Sequence, residues 1–225
     1  MEIKVGNRKG IILQTKDQLC DDNITIKLDN SLFDDSIEDG LVTRTLTYYY
    51  NDRVTFFAPR VFQSYDTEIV IEAPNVTSIG LNCFYASKGV TKLILPKLVS
   101  VGGNAFYQMT ALKVLNLPSV EAIQGSTCRY SSGFEVVYLP KLKKLTPATF
   151  ADCSNLSTFI IGSDVTMENV SVFVRTPIEN GTGYIYVPDE TVETYKVATN
   201  FSTYATQIKG WSEIPQEIRE ELKIW

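Results

Sequence analysis

The chain has 225 residues, of which 44% are hydrophobic and 21% charged, and its formal net charge is −5. This composition is typical of a globular protein, and the negative charge argues against a broad nucleic-acid-binding surface. There is no histidine, which excludes Ser–His and Cys–His nucleophilic triads and every histidine-ligated metal site.

Residues 1–40 are predicted to be the first domain, a small β module with an acidic linker. Alternating apolar residues predict one strand near residues 11–15 and a second at Ile24, Ile26 and Leu28. The following stretch, DNSLFDDSIEDG, is acidic and is predicted to be a solvated linker. The start, MEIKVGNRKG, has no apolar signal-peptide core, so we expect that the chain as given is not a standard secreted precursor.

The N-terminal segment resembles a short motif near the start of tail-associated proteins of phages and prophages of Gram-positive bacteria. The matching residues are Gly10, Ile11, Leu13, Thr15, Cys20, Asn23, Ile24 and Ile26, with Asn23 in place of the usual Asp. The resemblance implies that residues 1–40 dock the chain to a phage tail or a related particle.

Residues 41–183 are predicted to be the second domain, a solenoid with an N-terminal half-repeat. Pro74, Pro96, Pro118 and Pro140 are each 22 residues apart, and the next step falls on Gly162. Apolar columns keep the same phase: Ile71, Leu93, Leu115, Val137 and Phe159; Ala73, Leu95, Leu117, Leu139 and Ile161; Phe84, Phe106, Cys128 and Phe150. A 22-residue period lies within the range of leucine-rich repeats. Each unit therefore predicts a short strand that proline ends, with the apolar columns inside.

The repeat unit LILPKLVSVGGNAF, residues 93–106, resembles the L-x-L-P-x-V-x-x-I-G-x-x-A-F pattern of BspA-type leucine-rich repeats of bacterial and phage surface proteins. The resemblance covers roughly residues 52–209. It implies an α/β-type solenoid that is mostly β: about five coils, a parallel strand ladder and a helical C-terminal cap. The family has no shared catalytic residues. Two positions depart from the pattern, Cys128 in a Phe column and Gly162 in the Pro column.

Residues 184–225 are predicted to be the C-terminal cap. The segment YIYVP predicts one more strand, and Asp189 is placed to cap a following helix. Ile214, Ile218 and Leu222 are spaced four apart, which predicts one apolar stripe on a short helix. This helix is either a lid on the last coil or a partner-binding element.

The four cysteines, Cys20, Cys83, Cys128 and Cys153, form no CxxC pair. We predict small buried apolar residues here, because neither a zinc cluster nor a disulfide framework fits the spacing and the start of the chain. No run approaches the roughly 18 apolar residues of a membrane-spanning helix. We expect no cofactor, no metal site and no membrane insertion.

The outward strand positions form two ladders, Val70, Lys92, Val114, Val136 and Thr158, and Glu72, Ile94, Asn116, Tyr138 and Ile160. Six of these ten residues are apolar, although a solvated sheet face is usually polar. The ladders are either a contact surface, a result of β-propensity, or a face covered by the chain's own ends or a sister subunit. The candidate binding residues are Glu72, Lys92, Ile94, Asn116, Val136, Tyr138 and Ile160. Tyr138 is the preferred anchor.

Three functions are weighed. The favoured hypothesis is a non-enzymatic virion-associated protein, located in the phage particle or tail. Its partners would be other tail proteins, bound through the N-terminal module, and a host surface protein or glycan, bound through the repeat. A bacterial cell-surface or secreted adhesin is the alternative, and a homo-oligomer is compatible with both. An enzyme ranks third, because no convergent acid pair and no cofactor loop support it.

Overall fold

A computed structural model describes residues 48–224 and, for backbone only, residues 33–38 and 41–46. The predicted strands and the phage-like motif of residues 1–32, Cys20 and Trp225 lie outside this range. The strands are β1 (Phe33–Glu38), β2 (Leu41–Leu46), β3 (Tyr48–Tyr50), β4 (Phe56–Phe57), β5 (Ile69–Glu72), β6 (Ser78–Ile79), β7 (Val90–Ile94), β8 (Ser100–Val101), β9 (Val114–Asn116), β10 (Val136–Leu139), β11 (Lys144–Leu145), β12 (Thr158–Ile161), β13 (Thr166–Met167), β14 (Tyr184–Val187) and β15 (Ile208–Gly210). The α-helices are α1 (Val192–Val197) and α2 (Gln216–Leu222), and 3₁₀ turns span Val170–Phe173, Asp189–Thr191, Phe201–Gln207 and Trp211–Glu213.

The predicted solenoid is confirmed. Strands preceding the Pro columns lie side by side and parallel, with Ile71 opposite Leu93 and Val137 opposite both Leu115 and Phe159. These pairings hold the register of the sequence repeat, and the inward columns are buried. We call these the front sheets: β3, β5 and β7 form one, and β9, β10, β12, β14 and β15 form the other. β7 and β9 are not paired, so a seam divides the front ladder between these two strands.

A second parallel ladder closes the opposite side of each coil. It consists of β4, β6 and β8, continues through single bridges of Ala122 to Ser100 and Lys144, and ends with β11 and β13. Between the two ladders the chain turns through two columns of residues with left-handed backbone: Arg60, Asn82, Asn104, Ser126 and Ala148, and Ser64, Ala86, Gln108, Tyr130 and Asp152. Each column contributes one residue to every coil. The coil therefore turns at the same two points throughout the array.

The interior is a continuous stack of aromatic and aliphatic side chains. Phe62, Phe84 and Phe106 follow one another, with ring centroids 5.1 and 5.8 Å apart and nearly parallel planes. Cys128 takes the next place in this column and is fully buried. The coil that contains Cys128 also contains the buried Phe134, whereas the neighbouring coils have Leu112 and Leu156 at this position of the repeat unit. This coil therefore has a buried phenyl ring at another position, although it has none in the column of Phe62.

Buried hydroxyl and thiol side chains connect successive coils. Ser131 Oγ donates to the carbonyl of Phe106 at 2.6 Å and accepts from the amide of Met109 at 3.0 Å. Ser87 makes the equivalent bond to the carbonyl of Phe62, and Cys153 Sγ lies 3.1 Å from the carbonyl of Cys128. All three side chains occupy the same position of their repeat units. They satisfy backbone groups that the ladders leave unpaired.

Ser131→Ala should destabilise the protein by about 1–3 kcal/mol, because it leaves one buried carbonyl and one buried amide without a partner. Urea denaturation followed by circular dichroism measures the change. Ser132→Ala, at the neighbouring and only partly buried position, is the matched control and should stay within about 0.5 kcal/mol of wild type. Equal stability of both variants would contradict the bridging role of Ser131.

Two predictions for the chain ends need correction. Residues 33–38, assigned to a solvated linker, form strand β1, which pairs antiparallel with β2 from Phe33–Leu46 to Glu38–Leu41. The signal was an Asp-Gly pair between them, which favours tight hairpins. Asp189 does not cap α1, whose N-cap is Thr191; its carboxylate instead accepts from the amide of Ser212 at 3.2 Å.

The predicted boundary at residue 183 does not interrupt the sheet. β14 pairs with β12 in the same register as the preceding strands, with Ile185 opposite Phe159. β15 adds a further parallel strand next to β14. Helix α1 and the turn at Phe201–Gln207 connect these two strands. The division into three domains remains a prediction.

Candidate binding face

The front sheets carry the outward ladders that the sequence predicted. In the first ladder Tyr48, Val70 and Lys92 stand in register, as do Val114, Val136, Thr158 and Tyr184. In the second ladder Tyr50, Glu72 and Ile94 stand in register, as do Asn116, Tyr138, Ile160 and Tyr186. Strand alternation puts their side chains on the side opposite to the interior. We call this surface the front face.

The C-terminal residues 211–224, which we call the strap, cover one half of the front face. Ile214 and Leu222 of the strap are buried against Val136, Tyr138, Ile160 and Tyr186, in a cluster that also includes partly buried Trp211, Ile218 and Ile224. Val136, Tyr138 and Ile160 are only 7%, 8% and 0% exposed. Of the alternatives that the sequence left open, cover by the chain's own end applies to this covered half.

The strap is not the lid on the last coil that its apolar stripe allowed. Instead of closing the end of the last coil, α2 lies across several strands, so that the apolar cluster it joins reaches from Tyr186 to Val114. Its start is fixed by Asp189, which accepts from the amide of Ser212, and by Trp211 Nε1, which donates to the carbonyl of Ile161 at 3.1 Å. At the far end, Asn116 Nδ2 donates to the carbonyl of Leu222 at 3.5 Å.

Among residues 48–224, no segment covers the other half of the front face, which we call the open half. It contains three of the predicted binding residues and a neighbour in register: Lys92 is exposed, Glu72 and Ile94 are partly buried, and Tyr50 is 45% exposed. Asn116 lies at the border with the strap and is partly buried. The predicted binding residues are thus divided, with Glu72, Lys92 and Ile94 in the open half and Val136, Tyr138 and Ile160 beneath the strap. Their role in binding stays a prediction.

A polar contact orders part of the open half. The Tyr48 hydroxyl donates a hydrogen bond to the carboxylate of Glu72 in the neighbouring strand. This bond, together with partial burial and the charge of Glu72, raises the pKa of Tyr48 to about 12. The tyrosine is therefore neutral at physiological pH and fixes the orientation of Glu72. The open half presents two tyrosines, a lysine, a carboxylate and aliphatic side chains within three adjacent strands.

The buried thiols of the solenoid are poor nucleophiles. Cys83, Cys128 and Cys153 are free and buried, as predicted. Burial raises the pKa of Cys153 to about 12 and that of Cys83 and Cys128 well above the ordinary value. Across residues 48–224, no group of three or more Cys, Asp and Glu side chains lies close enough to hold a metal ion.

A second surface feature was not predicted. Tyr85 and Tyr107 stack in parallel with centroids 4.9 Å apart, and Tyr130 packs edge-on against Tyr107 at 5.4 Å. Arg129 lies 4.6 Å from the centre of the Tyr130 ring. Tyr85, Tyr107 and Arg129 hold the same position in successive repeat units, and this column is the sequence signal for the surface feature, which we call the tyrosine strip.

Asp152 connects the tyrosine strip to the next coil. Its carboxylate accepts from Arg129 Nε at 3.1 Å and from Arg175. Hydrogen bonds from Arg175 and Arg129 hold the pKa of Asp152 below its ordinary value. Asp152 also occupies one of the left-handed positions. The ion pairs of Arg129 and Arg175 with Asp152 thus connect the loops of three successive coils.

The fold defines the class of protein: a repeat solenoid with stacked parallel strands and a laterally exposed strand face. Residues 53–192 match the BspA type leucine rich repeat region, in six copies. The match covers more than half of the chain, and the chain belongs to this family.

Comparison with solved structures gives a match to a leucine rich cell surface protein from Faecalibacterium prausnitzii A2-165. The identity is 17% and the TM-score 0.46, over 85% of this chain and 56% of that chain. The chain thus spans little more than half the length of that protein. No curated protein matches the chain significantly. In the described residues, none of the helices has the length and apolar character required to cross a membrane.

Proposed function

We propose that the chain is a non-enzymatic recognition protein of the bacterial surface, of the adhesin type, which binds a partner protein or glycan through the open half of its front face. The main support for the proposal is the exposure of the side chains in the open half. Within residues 48–224, Tyr50 and Lys92 are exposed on this strand face and Ile94 is partly buried, whereas the strap covers the remaining strands.

The composition of the open half supports binding. Tyrosine supplies a large, stiff contact area at low entropic cost, and Tyr48 and Glu72 are already held by their hydrogen bond. Membership of a family that the sequence relates to bacterial and phage surface proteins agrees with this role. We expect the partner to be a host surface protein or glycan.

A virion location remains the second candidate, because of the N-terminal resemblance to tail-associated proteins. It needs residues 1–40 in addition to the solenoid, whereas the adhesin interpretation needs only the matched repeat region. The adhesin interpretation therefore takes precedence. Immunogold labelling of intact producer cells and mass spectrometry of purified particles separate the two: labelled cells support the adhesin, and the chain in purified particles supports the virion protein.

The open-half proposal predicts the response of binding to substitution. On arrays of glycans and host surface proteins, Tyr50→Ala and Lys92→Glu should each weaken the positive signals at least about tenfold, as expected for central contact residues. Lys143→Glu reverses an exposed charge in the segment between the two ladders and is the matched control, with unchanged binding expected. Binding that is insensitive to all three variants would place the site elsewhere.

A further inference from the structure

The strap and the covered half form an apolar cluster of their own. The solenoid interior is one continuous cluster that includes Val137, Phe159 and Ile185, whereas Val136, Tyr138, Ile160 and Tyr186 pack with the strap on the other side of the same strands. Lifting the strap would expose the front face but would leave the interior columns covered. The two clusters are therefore separable in principle, as local unfolding units often are.

Among the described residues, the two ends of the strap are held by different kinds of contact. Its first residues follow β15 directly and are fixed by Asp189 and by the Trp211 bond to Ile161. Its last residues are held by apolar contacts and by the 3.5 Å bond from Asn116. Within residues 48–224, opening from the α2 end breaks one hydrogen bond to the front face, the bond from Asn116 to the carbonyl of Leu222.

Gly210 lies where the strap leaves β15, at the fixed end. A Cβ at Gly210 would come closer than 3.0 Å to the Asp189 carboxylate that holds Ser212. Glycine at this position lets the chain leave β15 and turn at once onto the front face. The Gly210 amide also donates to Glu213 Oε1 at 3.2 Å. The Asp189 and Glu213 contacts at the start of the strap do not involve the covered half, whereas Trp211 packs against it.

The side chains of the covered half are of the kind that bind the apolar side of an amphipathic helix. It offers Val136 and Ile160 as apolar floor, with Tyr138 and Tyr186 supplying ring surfaces and hydroxyls. The strap fills it with Ile214, Ile218 and Leu222, spaced four residues apart, as in helix-in-groove recognition. The outer side of the strap is polar.

We propose that the covered half of the front face is a binding site for an amphipathic helical segment of a partner protein, and that the chain's own strap occupies it as an intramolecular ligand. The site differs from the open half in place and in chemistry. Substitutions at Tyr50 test the open half and substitutions at Ile160 test this one, so failure of either proposal leaves the other standing.

The test uses the full chain and a fluorescein-labelled synthetic peptide of residues 211–225 as the probe. The opened variant Ile214→Asp/Leu222→Asp carries its changes in the strap and leaves the front face intact. Fluorescence anisotropy should show saturable 1:1 binding of the peptide to this variant, at least about tenfold tighter than to wild type. In the wild-type protein the strap occupies the site in most molecules. The apparent affinity for the peptide is then the intrinsic affinity multiplied by the fraction of molecules whose site is open.

Three controls fix the location of the peptide. A full-chain variant with Gln216→Asp/Lys223→Asp, on exposed strap positions, should bind like wild type. Adding Ile160→Asp to the opened variant should abolish binding, and so should Ile218→Asp in the peptide. Absence of peptide binding to a folded opened variant would overturn the proposal, as would a dimer of that variant which excludes the peptide.

Hydrogen exchange of the unmodified protein gives an independent test that does not depend on a folded variant. Amides of α2 should exchange through local opening, with protection at least about tenfold below that of β10 and β12. Equal protection of the strap and these strands would mean that the strap opens only with the whole solenoid. That result would overturn its role as a displaceable ligand.

Discussion

Leu95→Asp should abolish cooperative folding of the solenoid. Leu95 is 1% exposed and stands in the column of Ala73 and Leu117, all of them buried. A carboxylate there has no partner in the apolar stack, and burying an unpaired charge costs at least about 4 kcal/mol. Because each coil is covered only by its neighbours, the damage extends to both adjacent coils. Thermal and urea denaturation monitored by circular dichroism should show a broad or absent transition.

Lys92→Ala, three positions earlier in the same coil, is the matched control. Lys92 points outward from β7 and is exposed, so its loss should change the free energy of unfolding by less than about 0.5 kcal/mol. A cooperative transition of Leu95→Asp within about 1 kcal/mol of wild type would mean that Leu95 does not face a shared interior.

Gly162→Pro should destabilise the protein by about 3 kcal/mol, although it restores the residue of the repeat pattern. A Cβ at this position would come closer than 3.0 Å to the carbonyl oxygen of Pro140 in the preceding coil. The overlap is with backbone, so it can be relieved only by moving the coils apart. The carbonyl of Gly162 also accepts from the Tyr195 hydroxyl at 2.8 Å, so any movement reaches the helical segment after β14.

Gly162→Ala carries the same Cβ and should lose a similar amount, which separates steric overlap from effects of proline on the backbone. Gly103→Ala is the control glycine, because its Cβ would lie at an ordinary 3.4 Å from Leu81 Cδ1. That variant should stay within about 1 kcal/mol of wild type. If Gly162→Ala retained wild-type stability, the overlap would not explain the missing proline.

The coil architecture could be predicted because every repeat unit must meet the same physical constraint. Ile71, Leu93, Leu115, Val137 and Phe159 must all face one interior, so their spacing alone fixes register and strand direction. The fifth unit shows the limit of this reasoning. The sequence shows that Gly162 departs from the pattern, but only the distance to the Pro140 carbonyl gives the reason.

The front face was predictable only in part. Alternation identified the outward ladders, including Lys92 and Tyr138, without information on what lies above them. The spacing of Ile214, Ile218 and Leu222 predicted an apolar helix but not its destination, because the apolar stripe fits the end of the solenoid and its front face equally well. The deciding contacts are between residues far apart in the chain, such as Asn116 and Leu222.

The seam between β7 and β9 gives the rod an uneven mechanical strength. Across it the coils are joined by the bridge of Ser100 to Ala122 and by bonds such as the Phe106 amide to the Thr127 carbonyl, without front-strand pairing. Under a pulling force along the axis, the solenoid should part first at this junction. The coils before the seam, which carry the open half, would then yield separately from the strapped coils behind it.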